Sequence, residues 1–267
     1  MSGLQFIHAS NHQTTIFVED ELTRQYLSEL WRLQLSALHF VTAGSILSVK
    51  SLAKSYKDRG LKCWGIVDRD YKWSAEPIKN NVITLKKHEI ENYLLDPEAI
   101  HDSDFNHKRK LSKDEIANRI ETYIQAGKYW FACCYILADL DLSLRKGFPP
   151  APKKSDITDI DSIVRYISDS RFTINLAIKL HDIEQDKLKN HVQDKLSDIE
   201  AMYQEGKQID FFPGKAALNK IRSVLHKPSG NASKATDIDF AKEIAQKQLE
   251  RNRIPEELLQ IRDDILK

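Results

Sequence analysis

The chain has 267 residues, 41% of them hydrophobic, enough to bury the core of one large domain or two small ones. Forty Lys plus Arg against 39 Asp plus Glu leave a formal charge of +1, so no bulk electrostatic drive toward nucleic acid exists and any such binding needs local patches. Cys63, Cys133 and Cys134 lie in or beside apolar runs without metal-ligand spacing, no apolar run reaches the length of a membrane span, and MSGLQFIHASNHQ lacks the pattern of an export signal; we expect a reducing, cytoplasmic setting with no membrane.

Thr14 to Val18 (TTIFV) reads as a first strand, and the apolar stripe Tyr26, Leu27, Leu30, Leu33, Leu35 and Leu38 predicts a helix over Thr23 to Leu38. His39 to Val41 suggests a second strand and Gly44 a turn. Ser45 caps a helix carrying Ile46, Val49, Leu52, Ala53 and Tyr56, with Gly60 where a C-cap is expected. Cys63 to Val67 is the third predicted strand and Val82 to Leu85 the fourth. Glu89 to Leu95 (EIENYLL) reads as a short helix stopped before Pro97. This alternation predicts an α/β class with a parallel sheet flanked by helices.

Past residue 100 helical patterns dominate. A basic segment, HKRKLSK (107 to 113), reads as a solvated face able to track a nucleic-acid backbone, and leads into a helix over Asp114 to Leu144. GFPPAPKKSD (147 to 156) is a loop. Helices are expected over Asp161 to Leu180 and Ile183 to Tyr203, then a break at IDFFPGKAAL (209 to 218) before a helix to Leu225. KPSGNAS (227 to 233) is a further loop, and two last helices start at Asp237 and Pro255.

The chemistry concentrates in WGIVDRDY (64 to 71), where a buried strand ends in two acids, Asp68 and Asp70. Functional groups gather at the carboxyl edge of an open parallel sheet, and Glu19 ends the first strand at the same edge. Three carboxylates converging there repel one another unless a cation is present, and hard oxygen donors suit Mg²⁺ or Mn²⁺. Such an ion supports phosphodiester hydrolysis.

VED (18 to 20), GIVDRDY (65 to 71) and HEIENYLL (88 to 95), in that order, resemble the TOPRIM domain, whose hallmark is a strand-end Glu followed by a strand-end Asp-x-Asp. The resemblance covers roughly residues 12 to 100. ENYLL and FFPGK (211 to 215) look like the version in OLD-type nucleases and in the stand-alone TOPRIM effectors of bacterial anti-phage systems of the PARIS type. It implies a TOPRIM-like catalytic core over 1 to 100 and a helical region over 101 to 267 that completes the site and mediates assembly. It also implies a toxic endonuclease released from a partner ABC-type ATPase, with tRNA as the described target of the family and a homodimer as a common active form. Carried over by position, Glu19, Asp68, Asp70 and Glu91 are the metal-binding acids, Glu89 a second candidate for the acid of that segment, and Lys215 the lysine of the PGK segment. The pattern departs at Asp20, where the family usually has Gly, and the further acid expected nearby is Glu21 or nothing.

Simpler explanations accompany each residue. Asp68 and Asp70 also suit a strand-end turn, Glu89 and Glu91 the first turn of a helix, and FPGK a helix that starts at a proline. Asp139 and Asp141 in LADLDL repeat the Asp-x-Asp spacing on a predicted helix, where residues two apart share no face, and His88 reads as structural rather than as a proton shuttle. No P-loop is present, because Ala216 follows the lysine of PGK and the upstream glycine is missing. Two other functions use the same residues: an OLD-like DNA nuclease or nickase, and a binding or regulatory subunit with a vestigial acidic site.

Overall fold

The computed structural model describes residues 13–140, 152–170, 185–225 and 236–267. Strands β1 (Thr14–Val18), β2 (Leu38–Thr42), β3 (Cys63–Val67) and β4 (Val82–Thr84) form one parallel sheet in the order β2-β1-β3-β4. Helix α1 (Glu21–Leu30) carries the chain from β1 out to β2, and α2 (Ile46–Asp58) carries it back past β1 to β3. The direction of winding therefore reverses between β1 and β3, which pair directly with Phe17 opposite Gly65. At such a switch point the flanking loops part and leave a crevice beyond the strand ends. The order is compatible with a TOPRIM-like, Rossmann-type fold.

Alternation of side chains sorts the sheet residues onto its two faces. Ile16, Val18 and Ile66 enter the main core with Leu22, Tyr26 and Leu27 of α1, whereas Phe17, Cys63 and Val67 meet Val49 and Ala53 of α2. Gly65 is required by this second contact, since a Cβ there would lie 2.7 Å from the Val49 side chain.

Among the described residues the remaining helices are α3 (Glu91–Leu94), α4 (Pro97–Asp102), α5 (Lys113–Gln125), α6 (Lys128–Leu140), α7 (Ile160–Ser168), α8 (Gln185–Gln204), α9 (Gln208–Phe211), α10 (Gly214–Arg222), α11 (Asp237–Glu250) and α12 (Glu256–Leu266). The architecture is thus α/β: a sheet with flanking helices, followed by a mostly helical C-terminal region. One core runs from Ile16 in β1 to Ile265 in α12. α11 lies on α1, where the buried Gln248 accepts from Tyr26 Oη at 2.7 Å and donates to the Tyr93 carbonyl at 2.9 Å.

Several boundaries differ from the sequence expectation. The helix predicted to Leu38 stops at Leu30, because Trp31 is fully buried and the chain must enter β2 at Leu38, opposite Thr14. A 3₁₀ turn over Arg32–Gln34 makes the bend, leaving Leu33 76% exposed. The helix predicted over 114 to 144 is two helices parted at Gly127, where a Cβ would stand 2.9 Å from the Phe212 ring. Only Glu91–Leu94 of EIENYLL is helical, since the Asn92 side chain accepts from the Glu89 N–H at 2.9 Å and turns the chain ahead of the helix. IDFFPGKAAL contains the short α9 before α10 begins. The ends of the helices predicted around 144 and 171 to 183, the 227 to 233 loop, Asp141 and the side chain of Asp139 lie outside the described residues.

Candidate active site

The crevice between β1 and β3 is where the acids meet. After Val18, the Glu19 carbonyl accepts from the Gly44 N–H at 2.8 Å, which fastens the β2–α2 turn to the end of β1; Gly44 has φ +91°, a conformation glycine adopts without penalty. Asp20 caps α1, its carboxylate accepting from the Thr23 N–H at 2.8 Å. The Glu21 carboxylate is taken up by Arg24 at 2.5 and 2.8 Å, by Gln25 and by Thr42, and these bonds pull it down to about 2.

Beyond β3 the Asp68 N–H leaves the sheet and donates to Glu19 Oε1 at 2.8 Å. Asp68 Oδ1 accepts from the Ile90 N–H at 3.0 Å, and the Asp70 N–H donates to the His88 carbonyl at 2.8 Å. These bonds stitch the Asp68–Asp70 turn to the segment ahead of α3. Asp70 adopts φ +53°, a left-handed conformation that Asp tolerates better than most residues.

The segment ahead of α3 is in turn clamped to the start of α10. The Asn92 amide donates to the carbonyls of Ile209 at 2.6 Å and Phe212 at 2.7 Å. Gly214 lies so close that a Cβ would be 2.5 Å from the Asn92 backbone nitrogen. The Lys215 N–H donates to Glu89 Oε1, so the FFPGK lysine and the acid of HEIENYLL are neighbours although 126 residues apart. Arg69, between the two aspartates, is 3% exposed; its Nη2 donates to the Asp210 carbonyl at 2.9 Å and its guanidinium lies 4.0 Å from the Phe211 ring centroid.

Burial, with crowding of negative charge behind it, is visible in the ionisation of Glu19, Asp68, Glu89 and Glu91. Burial, opposed by the Asp68 N–H and reinforced by Asp70 and Asp20, pushes Glu19 up to about 7. Asp68 is raised well above the usual carboxylate range by burial and then by Glu19, Glu91, Glu89 and Asp70. Burial and Glu91 lift Glu89 to about 8, and burial raises Glu91, which also feels Asp20 and the Lys215 ammonium. The structure therefore brings Glu19, Asp68, Asp70, Glu89, Glu91 and Lys215 into one electrostatic neighbourhood. His88 stands apart in character: 2% exposed and pushed down to about 3 by burial and by Arg69, it is a neutral core side chain at physiological pH.

Among the described residues no three His, Cys, Asp or Glu side chains form a ready chelate. The all-oxygen donor set suits Mg²⁺, which keeps several waters and typically takes one or two carboxylates plus substrate phosphate oxygens. Carboxyl groups poised to ionise near pH 7 also fit, since a divalent cation supplies the charge that their mutual repulsion demands.

Sequence reasoning did not single out Arg69, Asn92 or Gly214. Their signals were present: a cation at the x of Asp-x-Asp, an amide one residue after an acid, and a glycine between proline and lysine. What they do depends on contacts between segments more than 100 residues apart. No family model matches the chain, and no curated protein is similar to it in sequence.

Proposed function

We propose that this chain is a TOPRIM-type, metal-dependent phosphodiesterase that cleaves nucleic acid, RNA in particular, and serves as the toxic effector of an anti-phage defence system. One observation carries the reading: the Glu19 carboxylate at the end of β1 accepts from the Asp68 N–H at the end of β3, at the switch point, with Asp70, Glu89, Glu91 and Lys215 gathered around them. A structural turn needs one capping acid; here burial, and then neighbouring like charge, raises Glu19, Asp68, Glu89 and Glu91 together, which disfavours an empty site.

One or two carboxylates drawn from Glu19, Asp68, Asp70 and Glu91 would hold Mg²⁺ or Mn²⁺, which when bound would activate water and neutralise phosphate charge. Glu89 Oε1 is fixed by the Lys215 N–H, which leaves the other oxygen to act as an additional ligand or as a base. The Lys215 side chain, exposed at the first turn of α10, supplies compact positive charge beside the phosphate. The choice of tRNA, restraint by an ABC-type ATPase and dimerisation of the active form rest on the family resemblance. An unrestrained nuclease is harmful, which is a functional reason for such a partner.

Purified protein incubated with total RNA, tRNA and plasmid DNA in Mg²⁺, Mn²⁺ or EDTA tests this, with Asp68→Asn alongside. Metal-dependent RNA cleavage that drops at least 100-fold in the variant is expected. DNA cleavage alone would make the chain an OLD-like DNA nuclease. Absence of both cleavage and any metal-induced thermal shift would leave a vestigial site.

A further inference from the structure

Away from the acids, α5 and α10 border a surface cavity, open to solvent, of about 680 Å³, inside the range of roughly 300–1,000 Å³ typical of small-ligand sites. One face of α5 lines it through Glu115, Asn118, Arg119 and Thr122, a spacing of i, i+3, i+4, i+7. Lys220, Ile221 and Val224, on and just after α10, form the opposite wall. Lys154 is fixed at the cavity's edge, its Nζ donating to the Tyr123 carbonyl at 3.0 Å and lying 3.5 Å from that ring's centroid. Burial, and then the nearby Lys220, hold the Lys154 ammonium below its ordinary range, so two cations crowd one space. The acid of the lining, Glu115, is engaged in capping α5, accepting from the Ser112 N–H at 2.7 Å and its hydroxyl at 3.0 Å.

Three cations against the one carboxylate of Glu115, which Arg119 also helps to keep ionised, leave a net positive surface that favours an anion with several acceptor oxygens. The aliphatic wall of Ile221 and Val224 favours an apolar or planar group attached to it. We propose that the α5–α10 cavity binds a nucleotide, with its phosphate on Arg119, Lys154 and Lys220 and its sugar and base against Ile221 and Val224. The nucleotide belongs to the strand being cut, a clause that rests on the nuclease reading, whereas the chemistry of the cavity does not. Helix α10 supplies the link, because its first turn donates the Lys215 N–H to Glu89 while its last turn lines the cavity. From Lys215 to Lys220 the helix rises about 7.5 Å at 1.5 Å per residue, roughly two nucleotides at the ~3.4 Å rise of a stacked strand.

The test uses the full-length chain with Asp68→Asn, in EDTA, so that nothing is cut. Binding of labelled single-stranded RNA is followed by anisotropy, with unlabelled adenosine monophosphate as competitor. Arg119→Gln/Lys220→Gln is compared with Lys54→Gln/Lys242→Gln, which removes equal charge from exposed sites elsewhere, and melting curves confirm that both fold. The pocket pair should weaken RNA binding at least tenfold and flatten its salt dependence by about 0.7 in log–log slope, the value for one phosphate of a single strand no longer neutralised. The control pair should stay within about threefold, and adenosine monophosphate should compete with RNA in the control and not in the pocket pair. Nucleotide binding lost in the pocket pair while RNA binding is unchanged would overturn the strand clause in favour of a free nucleotide. Equal RNA and nucleotide binding in both pairs overturns the cavity proposal. None of these readouts needs cleavage, so failure of the nuclease reading is scored separately on the chain that keeps Asp68.

Discussion

At Glu19 burial and like charge oppose hydrogen bonds from the backbone of Asp68 and Ile46, and burial wins: the carboxyl group is pushed up to about 7 in the folded chain against 4.5 for an ordinary glutamate. Between those values the folded chain holds a proton that the unfolded chain has released. The stability from this group is therefore full below about pH 4.5 and is lost as pH rises through 7. Glu19→Gln keeps an oxygen for the Asp68 N–H and carries no charge. In metal-free buffer its melting temperature should gain on the wild type from pH 5 to 8 and then hold a constant lead. Adding Mg²⁺ at pH 8 should raise the wild type alone, by about 2.7 kcal/mol of stability at 100 times Kd, which is several degrees for a chain of this size. Parallel melting curves across the pH range would show that Glu19 is not charged against its neighbours.

The site is an assembly of element ends, and its tightest joint is between α3 and α10. Gly214 has no room for a Cβ beside Asn92, whose amide holds the carbonyls just before α10. Gly214→Ala should cost about 1–3 kcal/mol by overpacking, and should lower cleavage more than stability because it displaces Lys215 from Glu89. Circular dichroism melting together with a cleavage assay run well below the transition would separate the two effects. Loss of stability with full activity would place Lys215 outside the chemistry. β3 shows the same dependence on a small residue, since Gly65 lets Val49 of α2 come against the sheet.

Across the whole molecule the helical region is continuous with the sheet's core. α11 covers α1, and Gln248 bridges Tyr26 and the Tyr93 carbonyl in a fully buried position just behind the site. Gln248→Leu leaves a buried hydroxyl and a carbonyl without that partner, at about 1–3 kcal/mol for each unsatisfied group. Urea unfolding should remain one cooperative transition with a lower midpoint. Two separated transitions would mean that residues before and after 100 fold independently. Among the described residues no helix is long and apolar enough to cross a membrane.

Period and punctuation in the sequence were enough for all four strands, for α2 from Ser45 to Gly60, for the last two helices, and for the two acids that close WGIVDRDY, because these signals are local: alternation, capping oxygens and glycines. They also placed Glu19, Asp68 and Asp70 at strand ends. Local pattern could not end α1 at Leu30, since the stripe that continues to Leu38 is the same whether the chain stays helical or turns to meet β1. Nor could it join Glu89 to Lys215 or empty the space for Gly214 against Asn92, because those contacts exist only once segments more than 100 residues apart are packed. The tertiary structure decided which acids share a crevice. Glu21 was drawn off by Arg24 and Glu89 was drawn in by α10, since burial and neighbouring charge, not residue type, set what a carboxyl group can do.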